Sequence, residues 1–203
     1  MITVNLVETN GYAEDQMVKI RRAIVLIERV MNSLTFKYAI LNFRRNAGKK
    51  RSFSFKKDEQ TRFKEYSNEK VYSKIMEAKQ QVGNVQDGSM DLYLALVPGG
   101  DGITIGYGYP QSKEIYTYSE YFNRATDASL ANHLVHEWCH KIGFDHAFYT
   151  WQDKNRDFSV PYAVGNLVER LAETRAELNS GHQVIFLVEP QTCYVNETSQ
   201  RAG

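Results

Sequence analysis

The run NHLVHEWCHKIGFDH, Asn132 to His146, holds four of the five histidines in a chain of 203 residues. His136 and His140 are four apart, so on a helix they lie about 40° apart on one face, one turn above each other. Two imidazoles at that spacing can grip one metal ion. Glu137 sits about 100° round from His136, near such an ion but outside the ligand pair. A carboxylate there can take a proton from an activated water. The pattern, His136-Glu137-Trp138-Cys139-His140, is HExxH, and Gly143 and His146 extend it to HExxHxxGxxH. A helix continuing past His140 would carry His146 away from the metal face. A glycine three residues on takes φ > 0, ends the helix and turns the chain back. His146 then supplies a third nitrogen and leaves a fourth position open.

The other residues of the run have plainer readings. His133 lies one turn before His136 on nearly the same face and is expected to support the site rather than bind the ion. Cys139 reads as a packed thiol and Trp138 as a core residue on the back of the helix. Asp145 would be the third ligand if that position slipped by one, but His146 fits both spacing and ligand type better.

Composition narrows the setting. Hydrophobic residues make up 42% and charged residues 24%, the balance of a globular chain with a real core. A net charge of +1 argues against a generally basic nucleic-acid binder. No apolar run approaches the ~18 residues that cross a bilayer, so no membrane association is expected. The first residues, MITVNLVETNGYAEDQM, lack the marks of a signal peptide, which makes the cytoplasm the default expectation unless the chain is a mature exported form. Cys139 and Cys193 are too few for a disulfide framework and suit a reducing compartment.

Along the chain, residues 2–8 (ITVNLVE) read as a strand and residues 12–32 as a long amphipathic helix with Met17, Ile20, Ile24, Ile27 and Met31 on its apolar face. Residues 34–43 (LTFKYAILNF) read as a second strand, which would make a parallel crossover. The basic stretch 44–57, with Phe53 and Phe55 interleaved, is either an anionic-surface patch or a solvated hairpin. The acids that follow at once favour the hairpin. A helix is expected over 69–82 and a loop at GNVQDGS. Residues 90–97 read as a strand closed by PGGDG. Strands follow at 103–110 (ITIGYGYP) and 113–122. Gly106 and Gly108 inside a strand suggest close approach of another chain segment, and Pro110 suggests an edge. Asp127 is the expected N-cap of the histidine-bearing helix. Residues 161–178 form a later helix with Pro161 at its start, and HQVIFLVE (182–189) a last strand before a frayed tail.

Taken together, His136–His146 resembles the zinc-binding signature of the metzincin clan of metallopeptidases. The resemblance implies that His136, His140 and His146 bind a catalytic Zn2+ and that Glu137 is the general base. It also implies the order strand, helix, two strands, antiparallel edge strand, last strand, which residues 2–8, 12–32, 34–43, 90–97, 103–109 and 114–119 would fill, with 44–89 as an insertion. The edge strand would pair with an extended peptide or protein substrate along Ile105, Gly106, Tyr107, Gly108 and Tyr109. The departure lies downstream. Metzincins carry a Met-containing turn beneath the metal, whereas DFSVPYAVG (157–165) has no Met, and Pro161 or Tyr162 stands in its place. Tyr162 is either a floor residue under the site or a phenol that stabilises the oxyanion.

The expectation is therefore an α/β chain of the α+β, zincin-like kind. It would be a single catalytic domain over 1–203, with a mixed twisted sheet, an antiparallel edge strand, a long backing helix and an active-site helix. Residues 1–143 would form the N-terminal lobe and 144–203 a small C-terminal helical lobe. The activity expected is zinc-dependent endopeptidase hydrolysis. Two rivals belong to the same residues: a non-catalytic, zinc-stabilised peptide-binding module, and a gluzincin-type site with Glu169 or Glu173 as third ligand. A nucleic-acid role built on the basic stretch would show as steeply salt-dependent binding.

Overall fold

In the computed structural model, which describes residues 1–44, 53–57, 62–83, 88–100, 104–146 and 156–179, the N-terminal alternation forms β1 (Thr3–Asn10). The amphipathic stretch after it forms α1 (Glu14–Met31), which buries Ile20, Ala23, Ile27, Val30 and Met31. Residues 34–41 are not a strand but a helix, α2 (Leu34–Leu41). Ser33 accepts a hydrogen bond from Phe36 N at 3.1 Å and so caps the first turn. Phe36 and Ile40, four apart, are the buried pair, while Leu34 and Tyr38 face out.

The expected crossover also fails because the outer edge of β1 is already occupied. Ile2 N donates to Asn32 Oδ1 at 2.7 Å, Asn32 Nδ2 donates to Ile2 O at 2.8 Å, and Val4 N donates to Glu28 Oε1 at 2.9 Å. Side chains from the end of α1 thus do the work of a neighbouring strand.

The basic stretch leads into a two-stranded antiparallel hairpin, β2 (Phe53–Lys57) and β3 (Arg62–Tyr66). Phe53 is buried and stacks on Phe43 at 4.1 Å between centroids. The rest of that stretch, residues 45–52, lies outside the described residues, as do 182–189, the tail and Cys193. α3 (Asn68–Glu77) follows, capped by Ser67. It ends earlier than expected, at Ala78, which takes a left-handed φ of 49°.

β4 (Ser89–Val97) is the central strand, buried over most of its length. The residues from 103 to 110 shorten to β5 (Gly106–Gly108), and those from 113 to 122 divide into β6 (Glu114–Tyr118) and a short helix, α4 (Ser119–Arg124). Next come α5 (Asp127–Lys141), a 3-10 turn at Arg156–Phe158 and α6 (Val160–Asn179). The N-cap of α5 is Thr126, one residue before the expected Asp127; its Oγ1 accepts from Ser129 N at 3.0 Å.

The sheet order is β1-β4-β6-β5, with β1, β4 and β6 parallel and β5 antiparallel to β6. Among the described residues the fold is thus α+β: an open, mixed four-stranded sheet, a separate hairpin and six helices. α5 packs against α6 and α1 and touches β5 and β6. No helix among the described residues is long and apolar enough to cross a membrane.

Candidate metal centre

Eleven of the 15 residues of α5 are buried, so its histidines project from a helix held on nearly every side. Its C-terminal end is a Schellman turn. Gly143, at φ 86°, donates to His140 O at 3.0 Å, and Phe144 N donates to Cys139 O at 3.0 Å. Buried Phe144 anchors the turn against Tyr66, with ring centroids 5.5 Å apart. The same turn aims Phe144 O at His140, whose Nδ1 donates to it at 2.7 Å. That bond fixes the ring and leaves Nε2 with its lone pair free to bind.

The chain reversal brings His146 back over the helix. His146 Nε2 stands 3.0 Å from His136 Nε2 and 3.2 Å from His140 Nε2. Candidate ligand atoms of His136, His140 and His146 all lie within 4.8 Å of one another. Two nitrogens bound tetrahedrally at 2.0–2.1 Å stand about 3.3 Å apart, so the set fits an ion such as zinc. Burial holds the His140 pKa below its usual value, partly offset by the bond to Phe144, which favours the neutral imidazole a metal needs.

Tyr162, in the first turns of α6, sets its ring edge-on to His136 at 4.4 Å and tilted to His146 at 5.0 Å. An aromatic ring thus backs the triad from the segment where a methionine is missing. Asp145 accepts from His146 N at 2.7 Å and is not among the clustered ligand atoms. Glu169 accepts from Ser129 Oγ and Asn132 Nδ2, both at 2.6 Å, and so ties α6 to α5. Glu173 is exposed, and neither carboxylate joins the triad.

Glu137 is almost wholly buried, beside the edge strand. Burial pushes its pKa up to about 7, against the pull of the Lys141 ammonium and a hydrogen bond from the Gly108 backbone. His133, one turn back, is buried and bonds through Nε2 to Thr117 Oγ1 at 3.0 Å. Burial lowers its pKa to about 4, so it is a neutral neighbour to Glu137, 3.8 Å away. Cys139 is a fully buried free thiol whose pKa burial drives upward, and Trp138 is fully buried.

The two glycines of β5 face α5. A Cβ on Gly106 would fall 2.0 Å from Tyr116 O and 2.7 Å from the His133 ring; one on Gly108 would fall 3.0 Å from Glu137 Oε2. The close approach read from the sequence is thus to the partner strand and to α5. Tyr107 points to the opposite face and stacks on Tyr116 at 4.7 Å. Ile105 and Tyr109 flank the strand and are exposed. Beyond β5 no further strand pairs among the described residues, so one edge is open.

Three residues of the surround carried no clear signal in the sequence. Gln80, buried, accepts from Asp91 N at 2.7 Å and Trp138 Nε1 at 3.1 Å and donates to Asp91 O at 3.2 Å, joining β4 to α5. Gly165 lets α6 close on α5, since a Cβ there would stand 2.2 Å from Asn132 Oδ1. Lys141 is buried at the end of α5; its only outward sign is its place four residues after Glu137. Comparison of the chain with known protein families, with curated proteins and with solved structures gave no match.

Proposed function

We propose that the protein is a zinc-dependent endopeptidase, with His136, His140 and His146 as ligands and Glu137 as general base. The observation that carries this reading is the convergence of three imidazole nitrogens at the helix that also carries the buried Glu137, whose carboxyl group packs against β5. The likeness of His136–His146 to the metzincin signature supports it further.

The residues divide the work. The triad would hold zinc, which supplies Lewis acidity toward water and the scissile carbonyl. Glu137, with a pKa near 7, is suited both to accept a proton from the attacking water and to return it to the leaving amine. The open edge of β5 would align an extended peptide by main-chain hydrogen bonds. Tyr162 would keep the His136 ring in place from below.

The test uses the zinc-loaded protein, its Glu137→Gln variant and a pool of internally quenched octapeptides. Zinc content should match between the two, with cleavage by the wild type and at least about a thousandfold loss in the variant. Equal turnover by both would remove Glu137 from the mechanism. A zinc-loaded wild type that binds peptides but cuts none would leave the binding-module reading instead.

A further inference from the structure

We propose that Lys141 is a positioning residue, whose ammonium ties the β5–β6 turn to the end of α5 and so holds Gly108 and the open edge of β5 against Glu137. Lys141 Nζ donates to three backbone carbonyls: Tyr109 O at 2.8 Å, Ser112 O at 2.7 Å and Glu114 O at 2.8 Å. An ammonium has three hydrogens, and each finds an acceptor. All three acceptors lie in or beside the link between β5 and β6, and none belongs to the helix that carries the lysine.

The tie matters because β5 is short and the backbone bond from Gly108 to Glu137 holds it to α5 at one residue. It is three residues long, two of them glycine, and among the described residues it pairs only with β6. Its turn has a hydrogen bond of its own, from Ser112 N to Tyr109 O at 3.0 Å, but that bond does not set the distance to α5. Lys141 does, beyond Gly108. A Cβ on Gly108 would stand 3.0 Å from Glu137 Oε2 and 3.5 Å from Lys141 Nζ, so Gly108 lies close against both side chains. Glu137 and Lys141 are one helical turn apart, which lets one strand residue read both.

The chemistry of the residue suits the task. A compact ammonium on a flexible stem can turn its three donors toward three carbonyls grouped around one point, whereas the donors of a guanidinium are spread in a plane. It also lies at the C-terminal end of α5, where a cation is favoured by the helix dipole. Burial brings the lysine's pKa down to about 8, and the nearby Glu137 and Glu114 charges hold it up. The tie stands on this geometry alone; its part in hydrolysis rests on the peptidase reading above.

The experiment compares wild type with Lys141→Met and with Lys141→Gln, which keeps two donors and spares the fold if the first variant does not assemble. Amide hydrogen exchange is followed residue by residue, and zinc affinity is taken by competition with a chromophoric chelator. Exchange at Gly106, Tyr107 and Gly108 should quicken about tenfold or more, while amides of α5, β1 and β4 keep their rates and zinc affinity stays within about threefold. A lysine that served stability alone would speed exchange across the whole core in proportion. Wild-type exchange at Gly106 to Gly108 in a folded variant, or an even loss across the core, would overturn the proposal. On octapeptides, kcat/KM should also fall about tenfold with zinc in place. A zinc-loaded wild type that cuts nothing would sink the peptidase reading while the exchange data still decide the role of Lys141.

Discussion

Gly108 and Glu137 are in contact, strand backbone against a carboxyl group of α5, with room for a hydrogen atom on Gly108 but not for a relaxed methyl group. At Gly106 the fit is tighter still, since a Cβ would lie 2.0 Å from a backbone carbonyl of the paired strand.

Gly106→Ala should therefore destabilise the protein by about 2–3 kcal/mol, because the neighbour it strikes is backbone and cannot swing away. Gly108→Ala meets side-chain atoms of Glu137, Oε2 at 3.0 Å and Cβ at 3.3 Å, rather than backbone, and should cost about 1 kcal/mol. Urea unfolding midpoints of the two variants check the order, and a smaller loss at Gly106 would contradict this packing.

The triad should bind one zinc ion. At a hundredfold excess of free zinc over Kd, folding should gain about 2.7 kcal/mol, seen as a rise in Tm that a chelator reverses. His146→Ala should weaken zinc at least about a hundredfold. Tyr162→Ala removes only the ring that backs His136 and should weaken it about tenfold. A Tm indifferent to zinc would count against the centre.

His133 should add an acid-labile part to the stability of the metal-free protein, opposed by Glu137, whose raised pKa favours folding as pH falls through about 7. The His133 pKa is lowered from 6.5 to about 4, so between those values the unfolded chain binds a proton that the folded chain refuses. Its contribution is whole above pH 6.5 and is lost as pH falls toward 4, by about 3 kcal/mol in all. In His133→Gln that part of the slope should vanish. Parallel stability curves for variant and wild type from pH 7 to 4 would refute it.

Gln80→Leu should cost about 3 kcal/mol, since it strands the Trp138 indole N–H and both backbone groups of Asp91 in a buried place. Chemical unfolding followed by Trp fluorescence reports both the stability and the local environment. A loss below about 1 kcal/mol would mean that those groups find other partners.

Local chemistry made the histidine cluster legible in the sequence. The spacing of His136 and His140, the glycine at 143 and the histidine at 146 all act within one helix and one turn, and the structure brings those three rings together. Strand β4 and helix α1 were equally plain, because each buries a continuous run or a clear stripe. Residues 34–41 misled, since a short apolar segment has too few turns for its period to show. Its helical state depends on Ser33 as cap and on an edge of β1 already filled by Asn32 and Glu28. Lys141 and Gln80 were opaque for a related reason. Their partners are backbone groups 27 to 32 and 11 residues away, and nothing in the sequence marks a carbonyl as an acceptor.

The turn at Gly143 also divides the triad by its dynamics. His136 and His140 ride on a helix buried with the core, so their spacing persists for as long as the fold does. His146 lies past the last helical residue, outside regular structure, where opening costs less. An ion would meet a preset two-toothed clamp first and be locked in by the third ring afterwards, and it would leave in the reverse order. Loading and release then become properties of Asp145 and His146, which lie past the turn that caps α5.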